Sequence, residues 1–233
     1  RYFWPHDLII VVQRFYHLWY YLDQLPENTY RYIISTDVKD VVFQKNPSEW
    51  LEKNIGNHEI VASCESLCYQ DEPWGADNMQ GSYPMIWNKI RTRPIYNCGV
   101  QAGTQRAMRD LWLTIWLTSK AGGRPNPDQA AYNFLMRMYP YNINTWIATL
   151  EDAWAINAHV TNREIQFEEF GPHLLEERPY FDEEDGLVKD AKTKKPFVIV
   201  KKGSKDYGTQ KLIEGKFVSG EKVVLVEDIL CIK

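Results

Sequence analysis

Two aspartates, Asp37 and Asp40, lie just after Tyr30–Thr36, a run rich in β-branched and aromatic residues. Two carboxylates at such a place can hold a hard divalent cation, which neutralises a departing diphosphate. The plainer alternative is a strand end capped by Asp37 with Asp40 in solvent. Asn97, Cys98 and Gly99 form a second polar point, where a small backbone and an amide allow close ligand approach. The alternative there is a strand kink. Asp128 and Gln129 follow Pro127 and open a helical pattern. Asp128 is a candidate general base, or only a first-turn acid favoured by the helix dipole. Glu65, Asp71 and Glu72 are weaker base candidates in a segment rich in Gly, Pro, Asp and Trp. Lys201, Lys202 and Lys205 make a basic Gly-containing stretch, and Glu227 with Asp228 close the apolar run Val223–Val226.

The elements that must position these residues are legible as periodic runs. Phe15, Leu18, Trp19 and Leu22 recur at helical spacing within residues 8–23. YRYIIST (30–36), EIVAS (59–63), IYNCGVQA (95–102), FVIV (197–200) and KVVLVEDIL (222–230) read as strands. Met108, Leu111, Trp112, Ile115 and Trp116 mark one face of a helix over 104–120. A short helix is expected from Ser48 as N-cap, and another from about Pro127 to Met138. No clear period runs through Glu65–Arg93, which suits an active-site loop region. Strands alternating with helices predict an α/β fold with a mostly parallel central sheet flanked by helices. A short strand-loop-strand appendage is expected at the C-terminal end.

The 233 residues fit one large domain or one domain with a small appendage. With 27 basic and 31 acidic residues the net charge is −4, which gives no basic footprint for nucleic acid. No 18-residue apolar run reads as a membrane-spanning helix. The sequence begins at Arg1, so an incomplete N-terminus is expected and no compartment or oligomeric state is assigned. The nine Trp and 14 Tyr suit flat ligands such as sugars, or simply an aromatic core. Cys64, Cys68, Cys98 and Cys231 lack zinc-site spacing and read as ordinary thiols.

Over about residues 13–200, STDVKDVVFQKNPSEWL, DEPWG, NCGVQAG and NPDQAAYNFL stand in an order that resembles a family of GT-A-type nucleotide-diphospho-sugar transferases. The resemblance implies glycosyl transfer from a nucleotide-sugar donor to an unidentified acceptor, with Mn²⁺ or Mg²⁺. It casts Asp37 and Asp40 as metal ligands and Asn97, Gly99, Gln129 and Trp74 as nucleotide-sugar contacts. Asp128 or Glu72 would be catalytic. The sequence departs from the family where an opening strand and a late His are expected. Over about residues 197–230, KKGSKDYGTQKLIEG and VVLVEDIL resemble orotate phosphoribosyltransferase, including the form fused into UMP synthase. There Lys201, Lys202 and Lys205 would neutralise pyrophosphate and Glu227 with Asp228 would hold ribose hydroxyls. The family's Thr/Gly-rich phosphate turn does not follow. The expectation is a chimera: 1–196 glycosyltransferase-like, 197–233 a partial phosphoribosyltransferase segment. A non-catalytic remnant is the third alternative.

Overall fold

The structure is a computed structural model, and it describes residues 10–37, 41–122, 127–157, 179–201, 224–226 and 229–232. The chain order is α1 (Ile10–Asp23), β1 (Tyr32–Thr36), β2 (Val41–Phe43), α2 (Pro47–Asn54), β3 (Ile60–Cys68), α3 (Pro73–Ser82), α4 (Trp87–Ile90), β4 (Pro94–Gly103) and α5 (Gln105–Ser119). It continues with α6 (Asp128–Leu135), α7 (Tyr141–Asn144), β5 (Thr145–Ala148), β6 (Ala155–Asn157), β7 (Tyr180–Asp182), β8 (Leu187–Lys189), β9 (Ile199–Lys201), β10 (Val224–Val226) and β11 (Ile229–Ile232).

The protein is α/β, built on a six-stranded sheet of order β10-β11-β1-β4-β3-β5. β1 lies inside this sheet and is buried on both faces. Ile33 enters one apolar cluster with Phe15, Leu18, Leu22, Leu111 and Trp112. Tyr32 and Ile34 enter another with Leu51, Val100, Trp154 and Ile199. Two covered faces explain why Tyr32, Ile33 and Ile34 are apolar in succession rather than in alternation. α1 packs its Val12, Phe15, Leu18 and Leu22 stripe towards α5, whose Met108, Leu111, Trp112 and Ile115 are buried. Thr104 caps α5 by accepting from the Ala107 N–H at 3.4 Å.

The sheet is mixed, which corrects the mostly parallel expectation. β1 pairs antiparallel with β4 and β11, β3 pairs antiparallel with β4, and β3 with β5 is parallel. The cause is the excursion between Cys68 and Pro94. These two residues are register partners, so α3 and α4 leave and re-enter at the same end of the sheet. Helices between strands then close a wide hairpin instead of a parallel crossover. The expected loop region 65–93 is therefore largely the end of β3 plus α3 and α4.

A smaller sheet, β2-β9-β6, lies beyond, with β2 antiparallel and β6 parallel to β9. The described residues of the run 222–230 belong to two antiparallel strands, β10 and β11, rather than one. β11 extends the large sheet beside β1, and β9 belongs to the smaller one. Among the short helices, Asn46 rather than Ser48 caps α2. Its side-chain oxygen accepts from the Ser48 N–H at 2.9 Å, and Pro47 in the first turn has no N–H to satisfy. α6 ends at Leu135, short of Met138, in a turn that leads to Pro140. No helix among the described residues is long and apolar enough to cross a membrane.

Candidate functional site

Asp37 leaves β1 at its carboxyl end, and its N–H donates to the Gly99 carbonyl of β4 at 3.0 Å. Three elements converge on its carboxylate. Arg14 of α1 donates from Nη1 to Oδ1 at 2.8 Å. Lys201 of β9 donates from Nζ to Oδ2 at 2.5 Å. Gly99 supplies the space: a Cβ there would strike Asp37 Oδ2 and lie 2.7 Å from Lys201 Nζ. Arg14 also reaches Asp128 at the start of α6, Nη2 to Oδ2 at a longer 3.4 Å. One guanidinium thus spans two carboxylates carried 91 positions apart, 128 minus 37.

The electrostatics follow from burial and these pairs. Burial pushes the Asp37 carboxyl up, but Lys201 and Arg14 together outweigh it and hold it below its ordinary range. Asp128 goes the other way. Burial raises it, and the longer Arg14 contact only partly offsets that. Glu65 on β3 is buried and raised by desolvation, despite bonds from Asn157 and Asn97. Burial likewise drives the Cys98 thiol well up, so it is a poor nucleophile.

Asn97 is committed within the protein. Its Nδ2 donates to Glu65 Oε1 at 2.5 Å and its Oδ1 accepts from the Gly99 N–H at 2.7 Å. Gln129 Oε1 accepts from the Cys98 N–H at 3.2 Å. These amides lock the β4 backbone beside Asp37. Glu72 caps α3, accepting from the N–H groups of Trp74, at 3.1 Å, and of Gly75. Burial raises its carboxyl, with those two N–H groups opposing. Trp74 is exposed.

The structure therefore gathers Asp37, Asn97, Gly99, Asp128 and Gln129 in one connected cluster. Glu72 and Trp74 stand at the start of α3, where Glu72 caps the helix and its charge also acts on Glu65. Asp40, Lys202, Lys205, Glu227 and Asp228 lie outside the described residues. Arg14 carries no sequence expectation, although it is the one Lys, Arg, Asp or Glu between Leu8 and Leu22. A lone charge on an apolar helix is a usable signal, because burying it requires a partner. Glu65, a weaker candidate by sequence, is the buried carboxylate that Asn97 and Asn157 hold.

No family model matches the chain. Short segments are similar to curated enzymes. One is 54% identical over 43 residues to the orotate phosphoribosyltransferase of Methanocella arvoryzae, covering 18% of this chain and 25% of that protein. Another is 57% identical over 35 residues to the orotate phosphoribosyltransferase of Methanocaldococcus jannaschii, 15% of this chain and 20% of that one. A third is 49% identical over 37 residues to the uridine 5′-monophosphate synthase of Caenorhabditis elegans, 16% and 7%. The chain spans a quarter or less of these relatives. All three are orotate phosphoribosyltransferases or a uridine 5′-monophosphate synthase, and none of them is a glycosyltransferase.

The described residues do not fit a divalent cation as they stand. Among them, no group of three or more His, Cys, Asp or Glu side chains is placed to hold one. Both oxygens of Asp37 already face protein cations. A divalent ion reaching Asp37 would have to displace one of these two cations or sit beside both.

Proposed function

We propose that the chain carries a partial phosphoribosyl-pyrophosphate-recognising segment of the orotate phosphoribosyltransferase type, over about residues 197–230. The observation that carries this reading is the 54% identity over 43 residues to such an enzyme. In this reading Lys201, Lys202 and Lys205 balance the charge of pyrophosphate, and Glu227 with Asp228 accept from ribose hydroxyls. Full turnover also needs the 5′-phosphate cradled and orotate positioned. Positioning supplies roughly 7–11 kcal/mol of barrier lowering. The matched segment is a quarter of that enzyme's length, and donor recognition is the part of the reaction assigned to it. The assay mixes the purified chain with orotate, phosphoribosyl pyrophosphate and Mg²⁺ and follows orotate absorbance. No turnover above background is expected. Turnover abolished by Lys205→Ala would overturn the partial reading in favour of a complete enzyme.

A second reading is glycosyl transfer at the Asp37 cluster, and the specific observation in its favour is that Asp37, Asn97, Gly99, Asp128 and Gln129 meet from β1, β4 and α6. Asp128, raised by burial, would accept the proton of an acceptor hydroxyl as its oxygen bonds the anomeric carbon and the bond to the departing nucleoside diphosphate breaks. In this reading Arg14 and Lys201, which hold Asp37, are the cations facing the departing diphosphate. The two readings share a donor chemistry: a sugar whose anomeric carbon loses a diphosphate-containing group. The fold itself decides between neither.

A further inference from the structure

We infer that the Lys201 ammonium is the built-in cation of the Asp37 site, so that a divalent metal binds Asp37 only where Lys201 leaves it. The inference concerns the charge of the site with no donor bound, where Lys201 pairs with Asp37.

Three observations converge. Lys201 Nζ stands 2.5 Å from Asp37 Oδ2, close to the roughly 2.0–2.6 Å at which oxygen ligands hold Mg²⁺ or Ca²⁺. The ammonium and such an ion therefore compete for one place. The position of Lys201 is set by the backbone, since β9 pairs Lys201 with Val41 of β2 on one side and Asn157 of β6 on the other. Arg14 occupies Oδ1 of the same carboxylate, so the remaining oxygen cannot be shared without a third positive charge nearby. Gly99 completes the arrangement, because any side chain there would meet both Asp37 Oδ2 and Lys201 Nζ. The ion pair is thus assembled from α1, β1, β4 and β9.

The pair also connects the two halves of the sequence. Lys201 opens the basic stretch Lys201–Lys205, and Asp37 opens the segment Asp37–Asp40, two aspartates with Lys39 between them. A cation arriving at Asp37 releases the first lysine of that basic stretch.

The probe is Mn²⁺ alone, titrated into the full 233-residue chain with the free ion followed by electron paramagnetic resonance. Wild type and Lys201→Arg are expected to bind weakly. Lys201→Met, with circular dichroism confirming its fold, is expected to bind at least tenfold more tightly. Lys201→Gln serves the same purpose if the methionine variant fails to fold. Adding Asp37→Asn to either variant should remove the gain. Wild type binding as tightly as Lys201→Met, no gain in either neutral variant, or a gain that survives Asp37→Asn would each overturn the inference.

Discussion

Asp37 and Gly99 are locked together twice: the Asp37 N–H donates to the Gly99 carbonyl at 3.0 Å, and the Asp37 carboxylate fills the space where a Gly99 side chain would be. The backbone of β4 thereby fixes the direction of the one carboxylate that collects Arg14 and Lys201. Gly99→Ala must push the Asp37 carboxylate and the Lys201 ammonium off each other, since the atoms it meets are side-chain ends. Overpacking of this kind costs about 1–3 kcal/mol. Urea denaturation should show that loss, and unchanged stability would mean that the cluster is looser than its distances state.

Asn133 imitates a neighbouring strand. Its Oδ1 accepts from the Tyr96 N–H and its Nδ2 donates to the Tyr96 carbonyl, both at 2.8 Å, and its side chain is wholly buried. Asn133→Ala strands both backbone groups. Each unsatisfied buried group costs about 1–3 kcal/mol, so a loss of about 2–4 kcal/mol is expected. Since Tyr96 precedes Asn97, the same variant should loosen the Asn97–Glu65 bond, read as faster amide exchange along β4.

The buried acids make stability fall as pH rises. Burial raises the Glu65 carboxyl despite the bonds from Asn157 and Asn97, so the folded protein keeps a proton that the unfolded chain has released. Above the ordinary value of 4.5 the unfolded state then binds fewer protons, and stability declines until the folded group also ionises. Asp128 has the same sign. Asp37 has the opposite sign: its pairs stabilise the fold above its ordinary 3.8 and are lost as pH falls through the lowered folded value. Glu65→Gln keeps an oxygen for Asn97 and should flatten the decline above pH 4.5 while leaving the acid limb in place. A variant with the wild-type slope would remove Glu65 from the account.

Local pattern made the helices and strands legible, and it missed what depends on direction. Phe15, Leu18 and Leu22 announce α1, and Met108, Leu111, Trp112 and Ile115 announce α5, because one face of each meets the same core. The run Tyr32–Thr36, rich in β-branched and aromatic residues, announces β1, and a polar residue after it announces where Asp37 stands. The antiparallel entry of β4 was not legible, because no residue type records that Cys68 and Pro94 become partners. The site was half legible. Asp37, Asn97, Gly99, Asp128 and Gln129 are polar or small residues at element ends, where function concentrates. Arg14 and Lys201 complete the site from 23 and 164 positions away, and such distances follow from tertiary packing alone. Glu72 and Trp74 show the reverse case: a carboxylate in a suggestive motif is used as a helix cap.

The most direct test of the proposed function is a calorimetric titration of the 233-residue chain with phosphoribosyl pyrophosphate, alongside a nucleotide sugar such as UDP-glucose. Saturable binding of phosphoribosyl pyrophosphate is predicted, weakened at least tenfold, about 1.4 kcal/mol, when Lys202 and Lys205 are replaced together by alanine. Absence of that binding, with UDP-glucose bound and lost on Asp128→Ala, would contradict the phosphoribosyl reading and put glycosyl transfer in its place.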